Sequence, residues 1–224
     1  LILIDLGQGR RRIGGSILAQ TLARFGDEVP DLDDAQSLVQ LVAAINRLRA
    51  DGRLLAYHDR SDGGLWAAVC EMAFAGHVGV SLNIDMLVTE GDGIRDSLAD
   101  SGEAKNWTTQ VGERRNELSL RALFAEELGV VIQVARADRD AVFGVLREHG
   151  LSRHSHVIGK PNTRGAIEVW RDAKNVFSAP LEELHKAWDE VSWRIARLRD
   201  NPESADAEHA AAGIPDDPDC ICGS

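Results

Sequence analysis

The stretch with the clearest chemical potential is Ala56-Tyr57-His58-Asp59-Arg60-Ser61-Asp62-Gly63-Gly64-Leu65, in which an apolar run delivers a polar loop ending in two glycines. Gly63 and Gly64 permit positive φ and close backbone approach. They stand at the start of an apolar helical run, where unpaired N–H groups and the positive end of the helix dipole can hold an anion. Asp59 closes the run before the loop and offers the carboxylate oxygen that a hard cation such as Mg2+ prefers, set against phosphate oxygens. The Ser61 hydroxyl can donate a hydrogen bond to a phosphate or to the rest of a nucleotide. Ser61, Gly63 and Gly64 are therefore candidate nucleotide-binding residues and Asp59 a candidate metal ligand; no residue is assigned a catalytic role. The residues alone leave a second reading open. In it Asp59 and Asp62 cap the following helix through an Asx-type turn, and the glycines only turn the chain.

Two sharper readings of the loop fail. An EF-hand needs Asp or Asn at its fifth position, which is Gly63, and a carboxylate at its twelfth, which is Cys70. His58, Ser61 and Asp62 are too close in sequence to converge as a Ser-His-Asp triad. Other clusters carry weaker signals. Arg10-Arg11-Arg12 can neutralise a phosphate but reads as a solvated turn. Gly14-Gly15 suits phosphate binding and close helix–sheet packing equally. His58, His77, His149, His154 and His156 show no zinc spacing with cysteine and read as structural. Of Glu126-Glu127, one is expected to face solvent and the other to cap or pair locally.

The elements that must position the loop follow from periodicity. Leu1 to Asp5 reads as a buried strand, and Leu38, Val39, Val42, Ile45 and Leu48 as a helix that Gly52 ends. Leu54 to His58 is a strand, Leu65 to Ala75 an apolar helix, and Val78 to Ile84 an alternating, half-buried strand. Residues 91–116 lack a period and read as a surface excursion. Val130 to Ala135, Asp138 to His149, His154 to Ile158 and Gly165 to Trp170 form a β-α-β-β succession, half of a ferredoxin-like unit, with Lys160-Pro161-Asn162-Thr163 as a turn. Pro180 opens a long helix whose Leu184, Trp188 and Val191 are expected to pack inward. The expected fold is α/β: three layers, with helices on the faces of a mixed, partly ferredoxin-like sheet. Residues 1–200 are expected to form one domain, and the acidic Ala/Pro/Asp stretch 201–224 a linker.

Composition narrows the partners. The formal net charge of −11 argues against nucleic acid, which needs a positive face, and against an anionic membrane surface. Small-molecule substrates are the expectation. No apolar run nears the roughly 20 residues of a membrane span. The three cysteines, Cys70, Cys220 and Cys222, show no disulfide framework, which fits a reducing, cytoplasmic setting; Cys220 and Cys222 read as incidental thiols of a tail. The chain opens without Met inside a buried strand, so an excised fragment is expected, with fragment dimerisation through an uncovered apolar face as a consequence.

Four segments in order carry a family resemblance: Arg12-Ile13-Gly14-Gly15-Ser16-Ile17-Leu18-Ala19-Gln20, the turn Asp27 to Asp34, Tyr57 to Leu65 followed by Glu71-Met72-Ala73-Phe74-Ala75-Gly76, and Leu123-Phe124-Ala125-Glu126-Glu127-Leu128-Gly129. Together they resemble the large-type formylglycinamide ribonucleotide amidotransferases (phosphoribosylformylglycinamidine synthases), specifically the C-terminal half of their second AIR-synthase-like unit, over about residues 1–200. The resemblance implies an ATP- and glutamine-dependent ligase of purine biosynthesis that makes formylglycinamidine ribonucleotide. It implies Mg2+ at the position of Asp59, contact of Ser61 with ATP or ADP, and a nucleotide that is structural or turned over. It also implies partners elsewhere in a longer chain, the N-terminal synthetase-like half and the glutaminase, without which this stretch is expected to be inactive. Ala125 departs from the family, which commonly has Asn there. The alternatives are a non-catalytic interaction module, or a selenophosphate-synthetase or thiamine-phosphate-kinase relative.

Overall fold

The computed structural model describes residues 1–26, 28–88 and 104–212, with side chains from residue 112 onward in the last stretch. In chain order the first elements are β1 (Ile2–Asp5), α1 (Ile17–Thr21), α2 (Ala35–Ala50), β2 (Ala56–Asp59), α3 (Gly64–Ala75), β3 (Gly79–Asn83), α4 (Asp85–Val88) and α5 (Ala104–Phe124). They are followed by β4 (Gly129–Gln133), α6 (Arg139–Glu148), β5 (Ser155–Val157), β6 (Gly159–Asn162), β7 (Ala166–Arg171), β8 (Lys174–Pro180), α7 (Leu181–Arg199) and α8 (Pro202–Ala211). The residues form two compact units, Leu1–Ala68 with Asn83–Ile158, and Val69–Leu82 with Gly159–Ser224. The α/β class is as expected, and the strands divide between two four-stranded sheets.

The first unit is built on the sheet β2-β4-β1-β5, in which β1 runs antiparallel to both β4 and β5, and β2 antiparallel to β4. The path β1-α2-β2, then β4-α6-β5, is a β-α-β-β-α-β unit of ferredoxin type. Its second half is the succession expected from residues 130–158; its first half is β1-α2-β2, and β7 belongs to the other sheet. Helix α2 starts where the Asp34 carboxylate accepts from the Gln36 N–H at 2.9 Å, and Gly52 follows its end at φ +66. Its buried Leu41, Ala44 and Leu48 share one face at helical spacing, as do Val142, Val145 and Leu146 of α6. Both stripes meet Ile2 and Ile4 of β1 and Val130 and Ile132 of β4 in one core. Leu3 and Val131 alternate to the opposite face and are buried too, so both sides of this sheet are covered. Each such side chain removed from water contributes about 1.5–3 kcal/mol.

The second unit carries the sheet β6-β3-β7-β8. Strand β6, expected as a turn, lies at the sheet's edge, where the missing N–H of Pro161 is tolerated; β8, at the other edge, is mostly exposed and showed no alternation to find it by. The expected inward packing of α7 occurs in part: the Trp188 ring lies 5.8 Å from Phe74 of α3 and its indole N–H donates to the Glu71 carboxylate at 3.0 Å, while the adjacent His185 stacks on Phe74 at 4.7 Å. Leu184 is half-buried, but Trp188 and Val191 are 56% and 67% exposed. A second face of α7 is used as well: Trp193 stacks on His209 of α8 at 4.3 Å and donates to the Asp206 carboxylate at 2.9 Å. Helix α8 itself falls where a linker was expected. Asn201 caps it by accepting from the Glu203 N–H, Pro202 occupies the first turn, and alanines favour it throughout. Residues 213–224 of that stretch, Cys220 and Cys222 included, lie outside the described residues. Likewise, residues 104–116 of the expected excursion are helical in α5, whose polar composition hides its period, and 91–103 are outside the described residues. Among the described residues, no helix is long and apolar enough to cross a membrane.

Candidate functional site

The loop after β2 is anchored by a residue that motif reasoning passed over. Asp59 ends the ladder opposite Val130, and the Arg60 N–H donates to the Gly129 carbonyl at 2.8 Å. The Arg60 side chain then turns inward, 6% exposed, donating to the carbonyls of Glu127 at 2.6 Å and Leu128 at 3.0 Å and to the carboxylate of Asp5. Asp5 ends β1 and also accepts the N–H groups of Gly7 and Gly9. Burial works to raise its carboxyl. The charge and hydrogen bond of Arg60, with the two N–H groups, outweigh burial and hold it below the usual carboxylate range. One guanidinium therefore ties the ends of β1 and β2 to the segment entering β4.

The two glycines adopt the expected conformation, φ +77 at Gly63 and +66 at Gly64. Their N–H groups are engaged within the chain: Gly63 donates to Glu126 Oε1 at 2.8 Å, and Gly64 closes a turn on the Ser61 carbonyl at 2.9 Å. The close approach at Gly64 is to backbone. A Cβ there would stand 2.8 Å from the carbonyl oxygens of Leu123 and Ala125. The same Glu126 oxygen accepts the Ile17 N–H at 2.9 Å, at the first turn of α1 beyond Gly14-Gly15. Glu126 thus holds two glycine turns together from a distance in sequence, where a local role was expected.

Glu127 is no surface residue either. It is 1% exposed and receives the Arg12 Nε at 2.9 Å, an Arg12 terminal nitrogen at 2.8 Å and the Arg12 backbone N–H at 2.8 Å. Arg12 also pairs with Asp33 at 2.7 Å, and these hydrogen bonds, led by Glu127, raise its already high pKa further. The solvated arginine turn expected at residues 10–12 is corrected: Arg11 and Arg12 are buried and Arg10 alone is exposed. No periodicity marks a buried arginine whose carboxylate lies 115 residues away. His58 and His154 lie against backbone carbonyls, those of Asp59 at 2.6 Å and Asp5 at 3.0 Å.

Asp59 and Ser61 are exposed and line a groove of about 440 Å3, walled by Leu38, Val42 and Ile45 of α2 and by Tyr57. The Tyr57 phenol is pushed above its ordinary pKa, first by burial, then by the negative charge of the nearby Asp59 carboxylate. An apolar wall facing a carboxylate and a hydroxyl suits a ligand with a flat apolar part and a charged end. The structure thus brings Asp59 and Ser61 to one groove and gives Gly63 and Gly64 to the turn behind it. For a cation, Asp59 supplies a single carboxylate; among the described residues no three His, Cys, Asp or Glu side chains gather into a metal-holding group.

A ferredoxin-type unit with this glycine-turned loop at the end of its sheet defines a class of α/β domain, and the sequence places it. Residues 2–171 match the family described as AIR synthase related protein, C-terminal domain, and the chain belongs to that family. Solved structures from Thermotoga maritima share the fold. PurL complexed with AMPPCP is 14% identical over 82% of this chain and 24% of its own, at a TM-score of 0.54. Phosphoribosylformylglycinamidine synthase II is 14% identical over 82% and 25%, at 0.52. PurL complexed with ATP is 16% identical over 70% and 23%, at 0.51. The chain spans about a quarter of the length of these relatives.

Proposed function

We propose that this chain is the C-terminal half of the second AIR-synthase-like unit of a phosphoribosylformylglycinamidine synthase, the cytoplasmic ligase that uses ATP and glutamine to convert formylglycinamide ribonucleotide to its amidine in purine biosynthesis. The observation that carries the reading is the groove that Asp59 and Ser61 line, in a chain whose four family-like segments lie in family order. That similar folds occur in PurL complexed with ATP and with AMPPCP supports a nucleotide as the ligand. In this reading the apolar wall takes the base side of ATP or ADP, Ser61 donates to it, and Asp59 gives one oxygen to Mg2+ while phosphates supply others. Gly63 and Gly64 shape the turn that presents both side chains. A bound Mg2+ would offset phosphate charge. The remaining ligands, and the glutaminase that delivers ammonia, come from other parts of a longer protein, so the 224-residue chain alone is inactive.

The test is the nucleotide content of the complete enzyme. Asp59→Ala lowers the nucleotide released on denaturing the purified protein, and thermal stability falls with it, because a ligand bound only to the folded state stabilises by mass action. A mere turn cap would cost about 0.5–2 kcal/mol on the same substitution and leave nucleotide content unchanged. Equal nucleotide in wild type and variant removes Asp59 from the site.

A further inference from the structure

We infer that Asn46 of α2 reads the base in the Asp59 groove and makes that groove selective for adenine over guanine. This role rests on the nucleotide reading of the groove and decides which nucleotide it takes. Asn46 lines the groove from the same helix as Leu38, Leu41, Val42 and Ile45. Those four are apolar, whereas Asn46 carries an amide. It is exposed, and among the described residues none gives or takes a hydrogen bond at that amide. Its carbonyl and its amino group are thus both open to a ligand.

Chain direction sets where Asn46 stands. A short connection through Gly52 joins α2 to β2, so the end of α2 lies by the start of β2 and the two run in opposite senses. Leu38 and Asn46 are two turns apart on α2, about 12 Å along its axis. Asn46 and Tyr57 therefore flank one end of the groove, and Leu38 and Ser61 the other. That order places the phosphates at Asp59 and Ser61 and the outer edge of the base at Asn46. Val42, 53% exposed, and Tyr57, 45% exposed, present apolar surface and a ring face in between.

Apolar contact and stacking hold a base without choosing one, because every base has an aromatic face. Choice comes from hydrogen bonds to the base edge. An asparagine amide sets a C=O acceptor beside an N–H donor, and the two match the N6 amino donor and N7 acceptor of adenine as a pair. Guanine shows two acceptors, O6 and N7, on the same edge, so the Asn46 carbonyl would face a lone pair there. A bidentate match of this kind discriminates by about tenfold to a hundredfold.

The test equilibrates the complete enzyme with equal amounts of ADP and GDP, desalts it, denatures it and separates the released nucleotides by chromatography. The share of nucleotide lost in Asp59→Ala belongs to this groove. In that share wild type should favour ADP by about tenfold or more. Asn46→Leu should bring ADP and GDP close to parity with an unchanged thermal unfolding curve, since Asn46 is exposed on α2. Asn46→Ala should do the same and serves if the leucine variant unfolds early. An ADP preference that survives in the folded variant, or none in wild type, overturns the role of Asn46 and leaves the nucleotide reading standing. A full nucleotide complement in Asp59→Ala sinks the nucleotide reading, and the role of Asn46 with it.

Discussion

Replacing Gly64 by alanine separates two reasons for a glycine that sequence cannot tell apart. At φ +66 an alanine Cβ meets the backbone, a conformation costing roughly 1–2 kcal/mol for an L-residue. Its Cβ would also lie 2.8 Å from two carbonyl oxygens and a carbonyl carbon of residues 123–125, none of them the end of a flexible side chain. Something rigid must move, and such overpacking costs a further ~1–3 kcal/mol. Gly9 supplies the comparison: it sits at φ +76 with nothing within 4 Å of an added Cβ. Subtracting Gly9→Ala from Gly64→Ala cancels the dihedral cost and the stiffening of the unfolded chain. What is left is the close approach alone, about 1–3 kcal/mol in favour of wild type. Urea unfolding followed by far-UV circular dichroism reads it as a lower midpoint at unchanged slope. If Gly64→Ala loses no more than Gly9→Ala, the backbone of residues 123–125 does not bear on Gly64 and the account of the turn is wrong.

Acid should weaken the tie between β1 and β2. The folded Asp5 carboxyl is held below its ordinary value, so its contribution is complete above about pH 4–5 and disappears as pH falls through the folded pKa. The stability gap between wild type and Asp5→Asn, measured by denaturant titration, should therefore be widest at neutral pH and shrink below about pH 4; a gap independent of pH would refute the pairing. Cys70 should be inert in the folded chain, since burial, with a smaller push from Glu71, drives its thiol up to about 12. Iodoacetamide at pH 8 followed by peptide mass mapping should leave Cys70 unmodified until denaturant is added, and rapid labelling of the native chain would contradict its burial.

Local signals carried the first unit well. The stripe of α2, the short apolar runs of β1 and β4, the helix at α6 and the glycine pair before α3 were all legible because each depends on neighbours within a few residues. What was not legible depends on distant partners. Arg12 looks like one of three solvated cations until Glu127 is brought to it, and Arg60 looks incidental until Asp5 and the Glu127 carbonyl surround its fork. The stripe of α7 shows the limit from the other side. Leu184, Trp188 and Val191 have helical spacing, but α3 meets the stripe only as far as Trp188, Val191 stays exposed, and the residue α8 docks against is Trp193, off that stripe. Periodicity identifies a face able to be buried and says nothing of how much of it a partner covers.

The shared oxygen of Glu126 has a mechanical consequence. It is the common acceptor for Gly63 and Ile17, so neither turn can release it without changing what holds the other. An incoming anion seeking the Gly63 N–H must displace a carboxylate of like charge, and doing so would also take the acceptor from the Ile17 N–H at the start of α1. The chain fills that place with an internal surrogate, one carboxylate clipping two turns as a paper clip holds two pages.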